Sequence, residues 1–112
     1  MMFPKFAYVR SKSLLKAVAN LPCQCCGMEG QTQAAHSNKA QHGKGRAIKS
    51  SDIYIAALCQ TCHYRIDQGN ELAKAERQEL WDSAHIKTVT ALVRSGEWPL
   101  DVPIPDTRIF DA

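Results

Sequence analysis

A small α+β domain clamped by two cysteine pairs is the fold that this sequence predicts, on three observations. Cys23-x2-Cys26 and Cys59-x2-Cys62 repeat one metal-binding spacing. Two runs of strand length, residues 32–36 and 53–58, lie between the pairs, the second rich in β-branched and apolar side chains. Helical patterns flank them, a short one over residues 11–21 and a longer one within 70–98.

The elements follow in chain order. Residues 11–20 place Leu14, Leu15 and Val18 on one helical side, with Leu21 next to it, Ser11 or Ser13 available as cap and Pro22 as the stop. The first cysteine pair follows, and Gly27 lets the backbone turn tightly beneath it. Residues 32–36 read as a strand ending at His36, and residues 37–52, polar and holding Gly43 and Gly45, read as a long loop. Asp52 is expected to begin the second strand, which delivers the chain to Cys59. His63 to Asp67 reads as one or two helical turns stopped by Gly69. A longer helix over roughly 74–95 carries a stripe of Leu80, Ala84, Ile86, Val89, Leu92 and Val93, with Trp81 and Trp98 as packing aromatics. Pro99, Pro103 and Pro105 make residues 99–112 an extended tail, packed on the domain or reaching a neighbour.

The chain has 112 residues, one domain's worth, with 45% hydrophobic and 22% charged residues, an ordinary globular composition. A net charge of +3 is compatible with a polyanionic partner without arguing for one. No apolar run approaches the roughly 18–20 residues that span a bilayer, which excludes a helical membrane protein. The first residues carry no apolar stretch followed by a small-residue cleavage site, so no signal peptide is expected and the cytoplasm is the expected compartment.

Five cysteines, an odd number, argue against a secreted disulfide scaffold. Cys23, Cys26, Cys59 and Cys62 instead suit one tetrahedral structural zinc, with a thioredoxin-like redox pair as the lesser alternative and Cys25 left as a free thiol. The 32 residues between Cys26 and Cys59 exceed the roughly 15–20 of a compact four-cysteine site. The inserted segment is therefore where chemistry is to be sought.

His63 follows Cys62 by one position, which turns it about 100° from the sulfur-facing direction on a helix. Asp67, four residues on, shares its face, and the two can hold one divalent ion or form a plain surface pair. His36 can serve as a general base near such an ion, or be a satisfied structural histidine. Lys39, Lys44, Arg46 and Lys49 suit phosphate contacts or a solvated loop. His42 and His85 attract no role.

Together, Cys-x2-Cys-Gly, Ala-Ala-His at 34–36, Gly-Lys-Gly at 43–45, Lys-Ser-Ser-Asp at 49–52 and Leu-Cys-x2-Cys-His-x3-Asp at 58–67 resemble the HNH endonucleases, most of all the small prophage-encoded ones. The resemblance covers residues 21–69. It implies a ββα-metal core (HNH, treble-clef-like) with a structural zinc knuckle over 22–69, and with the flanking helices it makes 1–112 a single domain. It also implies a metal-dependent endonuclease acting on DNA, or on RNA as the second candidate. By resemblance His36 is the general base, and His63 and Asp67 hold a catalytic Mg2+ or other divalent cation. Asp52 stands near the motif's central Asn, with Asn38 as a rival for that part. Two departures stand out: Ala35 replaces the Asp or His that many members carry before the base, and the central Asn is missing from its usual place. The alternative is a non-catalytic zinc-knuckle module that binds nucleic acid or protein.

Overall fold

The computed structural model describes residues 9–39 and 49–106. Its elements are α1 (Lys12–Ala19), β1 (Thr32–His36), β2 (Ile55–Cys59), α2 (Gln60–Asp67) and α3 (Lys74–Arg94). β1 and β2 pair antiparallel, with Thr32 opposite Cys59 and His36 opposite Ile55. The result is a small α+β fold in which α2 leaves directly from the end of β2.

Local chemistry sets the helix ends. The Ser11 hydroxyl accepts from the Leu14 amide at 3.1 Å, capping α1, which stops before Pro22. α2 starts at Gln60, earlier than the sequence suggested, because the Cys59 sulfur accepts from the Cys62 amide and acts as the N-cap. At the start of α3 the Glu76 carboxylate accepts from the Ala73 amide at 2.9 Å. Gly69 does not stop α2 through a left-handed conformation. A Cβ there would lie 3.0 Å from the Arg65 Cα, so glycine is needed for close backbone approach.

β2 is buried along its whole length. Ala56 and Leu58 pack with Cys23, Ile66, Trp81 and Ala84, while Ile55 and Ala57 pack with Leu14, Val18, Val89 and Leu92. Covered on both faces, this strand reads as a continuous apolar run rather than an alternating one. It begins at Ile55, not at 53, since the Tyr54 amide bonds to the Ser51 carbonyl and closes a turn. Asp52 therefore sits in that turn, three residues before the strand it was expected to open.

α3 does more than cover apolar surface. Thr88 Oγ1 accepts from the Ala57 amide at 2.9 Å, a histidine nitrogen, His85 Nδ1, meets the Ile55 carbonyl at 2.8 Å, and Trp81 Nε1 donates to the Ala35 carbonyl at 3.0 Å. A two-stranded sheet leaves outward-facing backbone groups that must be paired when buried, and α3 pairs them with side chains. The buried face of α3 is accordingly Trp81, Ala84, His85, Thr88, Val89 and Leu92. Ile86 is only half-buried and Val93 is 42% exposed, so the expected all-apolar stripe is wrong at those two positions. Beyond α3, Trp98 Nε1 donates to the Val102 carbonyl at 2.9 Å and both side chains are buried, so the described part of the tail folds back on the domain.

Candidate active site and metal centre

The two cysteine pairs converge. The sulfurs of Cys23, Cys26, Cys59 and Cys62 all lie within 4.8 Å of one another, and those of Cys26 and Cys59 are 3.7 Å apart. Zinc–sulfur bonds of about 2.3 Å in a tetrahedron put sulfurs about 3.8 Å apart, so the cluster fits a zinc ion. The first pair is shaped by its backbone: the amides of Cys25 and Cys26 both point at the Cys23 sulfur at 3.4 Å, and the Gly27 amide closes the turn on the Cys23 carbonyl at 2.9 Å. Gly27 has φ +86°, a conformation costly for any side chain.

The electrostatics match a site built for a cation. Burial opposes ionisation of the Cys23 thiol, but backbone amides of Cys26, Cys59 and Cys25 outweigh it and hold its pKa down to about 6. Cys62 is pushed strongly up, by burial first and then by the crowding sulfurs of Cys59, Cys26 and Cys23. A cation joining the cluster would favour the thiolate form of these sulfurs. Cys25 is exposed and stands outside the group.

His36 ends β1 and reaches across to the turn before β2. Its Nε2 lies 2.8 Å from Asp52 Oδ1. Asp52 is held in turn: its Oδ2 accepts from the Ser11 amide at 2.8 Å, and the Arg10 guanidinium lies 3.5 Å from its Oδ1. The segment before α1 fastens this turn from the other side, the Asp52 amide donating to the Val9 carbonyl at 2.8 Å and the Arg10 side chain to the Ser50 carbonyl at 2.7 Å. With only 4% of its side chain exposed, Asp52 is fixed in place before His36 meets it. A carboxylate only accepts, so the imidazole proton sits on Nε2 and the lone pair falls on Nδ1.

His63 and Asp67 share one face of α2, as their spacing predicted. His63 Nδ1 lies 2.8 Å from Gln33 Oε1 on β1, which assigns the proton to Nδ1 and the lone pair to Nε2. Asn38 donates to the Asp67 carboxylate from the segment just after β1. His36, Asn38, Lys49, His63 and Asp67 line one cavity of about 400 Å3. The fold thus brings three of the four proposed catalytic residues to a single cleft, with Asp52 behind His36. Ala35 lies in the core at 1% exposure and offers no ligand.

Of the four basic residues expected to grip phosphate, Lys49 reaches this cleft, and Lys39 forms an ion pair with Asp82 at 2.7 Å. Lys44 and Arg46 lie outside the described residues, as do His42 and Gly43-Lys44-Gly45. Gln33 and Arg10 escaped sequence reasoning. Nothing in their local pattern distinguishes them, since each gains its meaning from a partner 30 or more positions away. Among the described residues, no helix is long and apolar enough to cross a membrane.

No curated protein and no solved structure matches the chain. A family profile does match it, over residues 1–89, and by that match the chain belongs to the family described as "Protein of unknown function (DUF968)".

Proposed function

We propose that this protein is a metal-dependent endonuclease that hydrolyses DNA phosphodiester bonds, with β1, β2 and α2 serving as a ββα-metal (HNH) core over a structural zinc knuckle. The observation that carries this reading is the single cleft holding His36, His63 and Asp67, with the tautomer of each imidazole set by a hydrogen bond from outside it. Two histidines that line one cavity, one held by a carboxylate and one by an amide, suit a base and a metal ligand better than two structural side chains.

In this mechanism His36 Nδ1 takes a proton from water as the water oxygen bonds to phosphorus, and the bond from phosphorus to the 3′ oxygen breaks, the leaving oxygen taking a proton from solvent. Asp52 keeps the imidazole in the productive tautomer and steadies the imidazolium that forms. His63 Nε2 and an Asp67 oxygen would hold the divalent ion, which neutralises charge on the phosphate and the leaving oxygen when bound. Gln33 and Asn38 hold those two ligands in orientation. With Ala35 in the core the ion relies on two protein groups, which suits a cation such as Mg2+ that keeps several waters.

The test is nicking of supercoiled plasmid with Mg2+ or Mn2+. His36→Ala is expected to lower the rate by about 10²-fold or more. Equal cleavage by the two proteins would remove His36 from its role, and no cleavage by the wild type with either metal would overturn the reading itself.

A further inference from the structure

A second cavity, of about 190 Å3, adjoins the first and shares Ser37, Asn38 and Asp67 with it. Its far wall is one face of α3: Lys74, Arg77, Gln78 and Trp81 stand at the i, i+3, i+4 and i+7 positions that align on a helix. Three basic side chains line it, against the single carboxylate of Asp67. The Lys39 charge is met by Asp82 outside the cavity, so Lys74 and Arg77 supply the positive charge here. Arg77 is only lightly engaged. Its Nη1 lies 3.4 Å from the Asp67 carbonyl, and its solvent-shielded Nε has no hydrogen-bond partner among the described residues. A guanidinium carries five donors in a rigid fork suited to phosphate, and this one has donors to spare.

From this we infer that the cavity between α2 and the start of α3 is a subsite for a backbone phosphate of the nucleic acid, bound by Lys74 and Arg77, adjacent to the phosphate that is cut. The inference rests on the nuclease reading for which phosphate is cut, and on the residues above for the subsite. A nucleic-acid strand presents a charge every 3.4 Å or so of helix axis, so a strand lying in the His36 cleft carries a neighbouring phosphate to the adjoining cavity. The contact is to the backbone. It fixes register and orientation and reads no sequence.

The test is binding of a short labelled DNA duplex to zinc-loaded protein, in a His36→Ala background, measured by fluorescence anisotropy from about 50 to 200 mM salt. Lys74→Ala is expected to reduce the slope of log K against log salt by about 1, and Lys74→Ala with Arg77→Ala by about 2, with affinity weakened alike across unrelated sequences. Lys74 is exposed, so its single variant keeps the test intact even if the double variant folds poorly. Lys87 and Arg94, exposed and turned to the other side of the same helix, serve as controls; their alanine variants are expected to keep the parent slope. An unchanged slope in folded Lys74→Ala, or an equal drop in the controls, overturns the subsite. Plasmid cleavage by the wild type is scored separately, so a failed nuclease reading shows as absent cleavage and a failed subsite shows as an unmoved slope.

Discussion

His36 Nε2 and Asp52 Oδ1 lie 2.8 Å apart although 16 residues separate them in the chain. Asp52 is anchored independently by the Ser11 amide and the Arg10 guanidinium, so the geometry of the imidazole is set by the segment that precedes α1. An imidazole oriented from outside its own strand is preorganised, and in the proposed reaction its proton would not have to be repositioned.

Asp52→Asn is expected to lower DNA cleavage by about 10²-fold or more, because an amide can donate to the imidazole and favour the unproductive tautomer. DNA affinity should stay near that of the wild type. The altered acceptor for the Ser11 amide and the Arg10 charge should cost about 1–3 kcal/mol of stability. Cleavage kinetics beside a urea melt check this, and wild-type cleavage by a folded Asp52→Asn protein would refute the role.

Gln33→Ala tests the second imidazole. Loss of an outer partner commonly weakens a metal site by about 10- to 100-fold. The Mg2+ or Mn2+ concentration needed for half-maximal cleavage should rise by that factor, with zinc content and melting temperature unchanged. An unmoved metal requirement would show that Gln33 does not position His63.

The cysteine cluster predicts one zinc per chain by elemental analysis. Cys59→Ser should lose the metal and cooperative melting together, since structural zinc contributes about 10–16 kcal/mol of apparent binding energy in small zinc peptides. Cys25→Ser should retain both, because that thiol is exposed and outside the cluster. A zinc-free wild-type protein that melts cooperatively at the same temperature would contradict the structural role.

His85 is fully buried, stacked on Trp81 with ring centroids 4.9 Å apart. Burial pushes its pKa below the ordinary 6.5, opposed by its bond to the Ile55 carbonyl. A histidine with a depressed folded pKa favours the native state above the unfolded pKa and loses that contribution as pH falls. Below about pH 6.5 the wild type should therefore lose up to about 1.4 kcal/mol per pH unit more than His85→Gln, until the folded pKa is reached. Urea melts of both proteins between pH 7.5 and 5 measure this, with metal loss common to both; parallel pH profiles would rule it out.

Features that depend on neighbouring residues were legible in the sequence alone. The cysteine spacing marked the four sulfurs that could hold a metal ion, Ser11 or Ser13 marked the start of α1, residues 32–36 marked β1, and the four-residue step from His63 to Asp67 put both on one face of α2. Such features follow from helical and strand periodicity, which a local window contains. The tertiary structure decided the rest. It moved Asp52 out of β2 and onto His36, turned His85 and Thr88 inward against an expectation of apolar residues, and brought Lys74 and Arg77 beside the cleft. Each of these depends on which distant backbone group or side chain needs a partner once water is excluded. No local pattern records that need, because it arises only when the sheet and α3 close on each other.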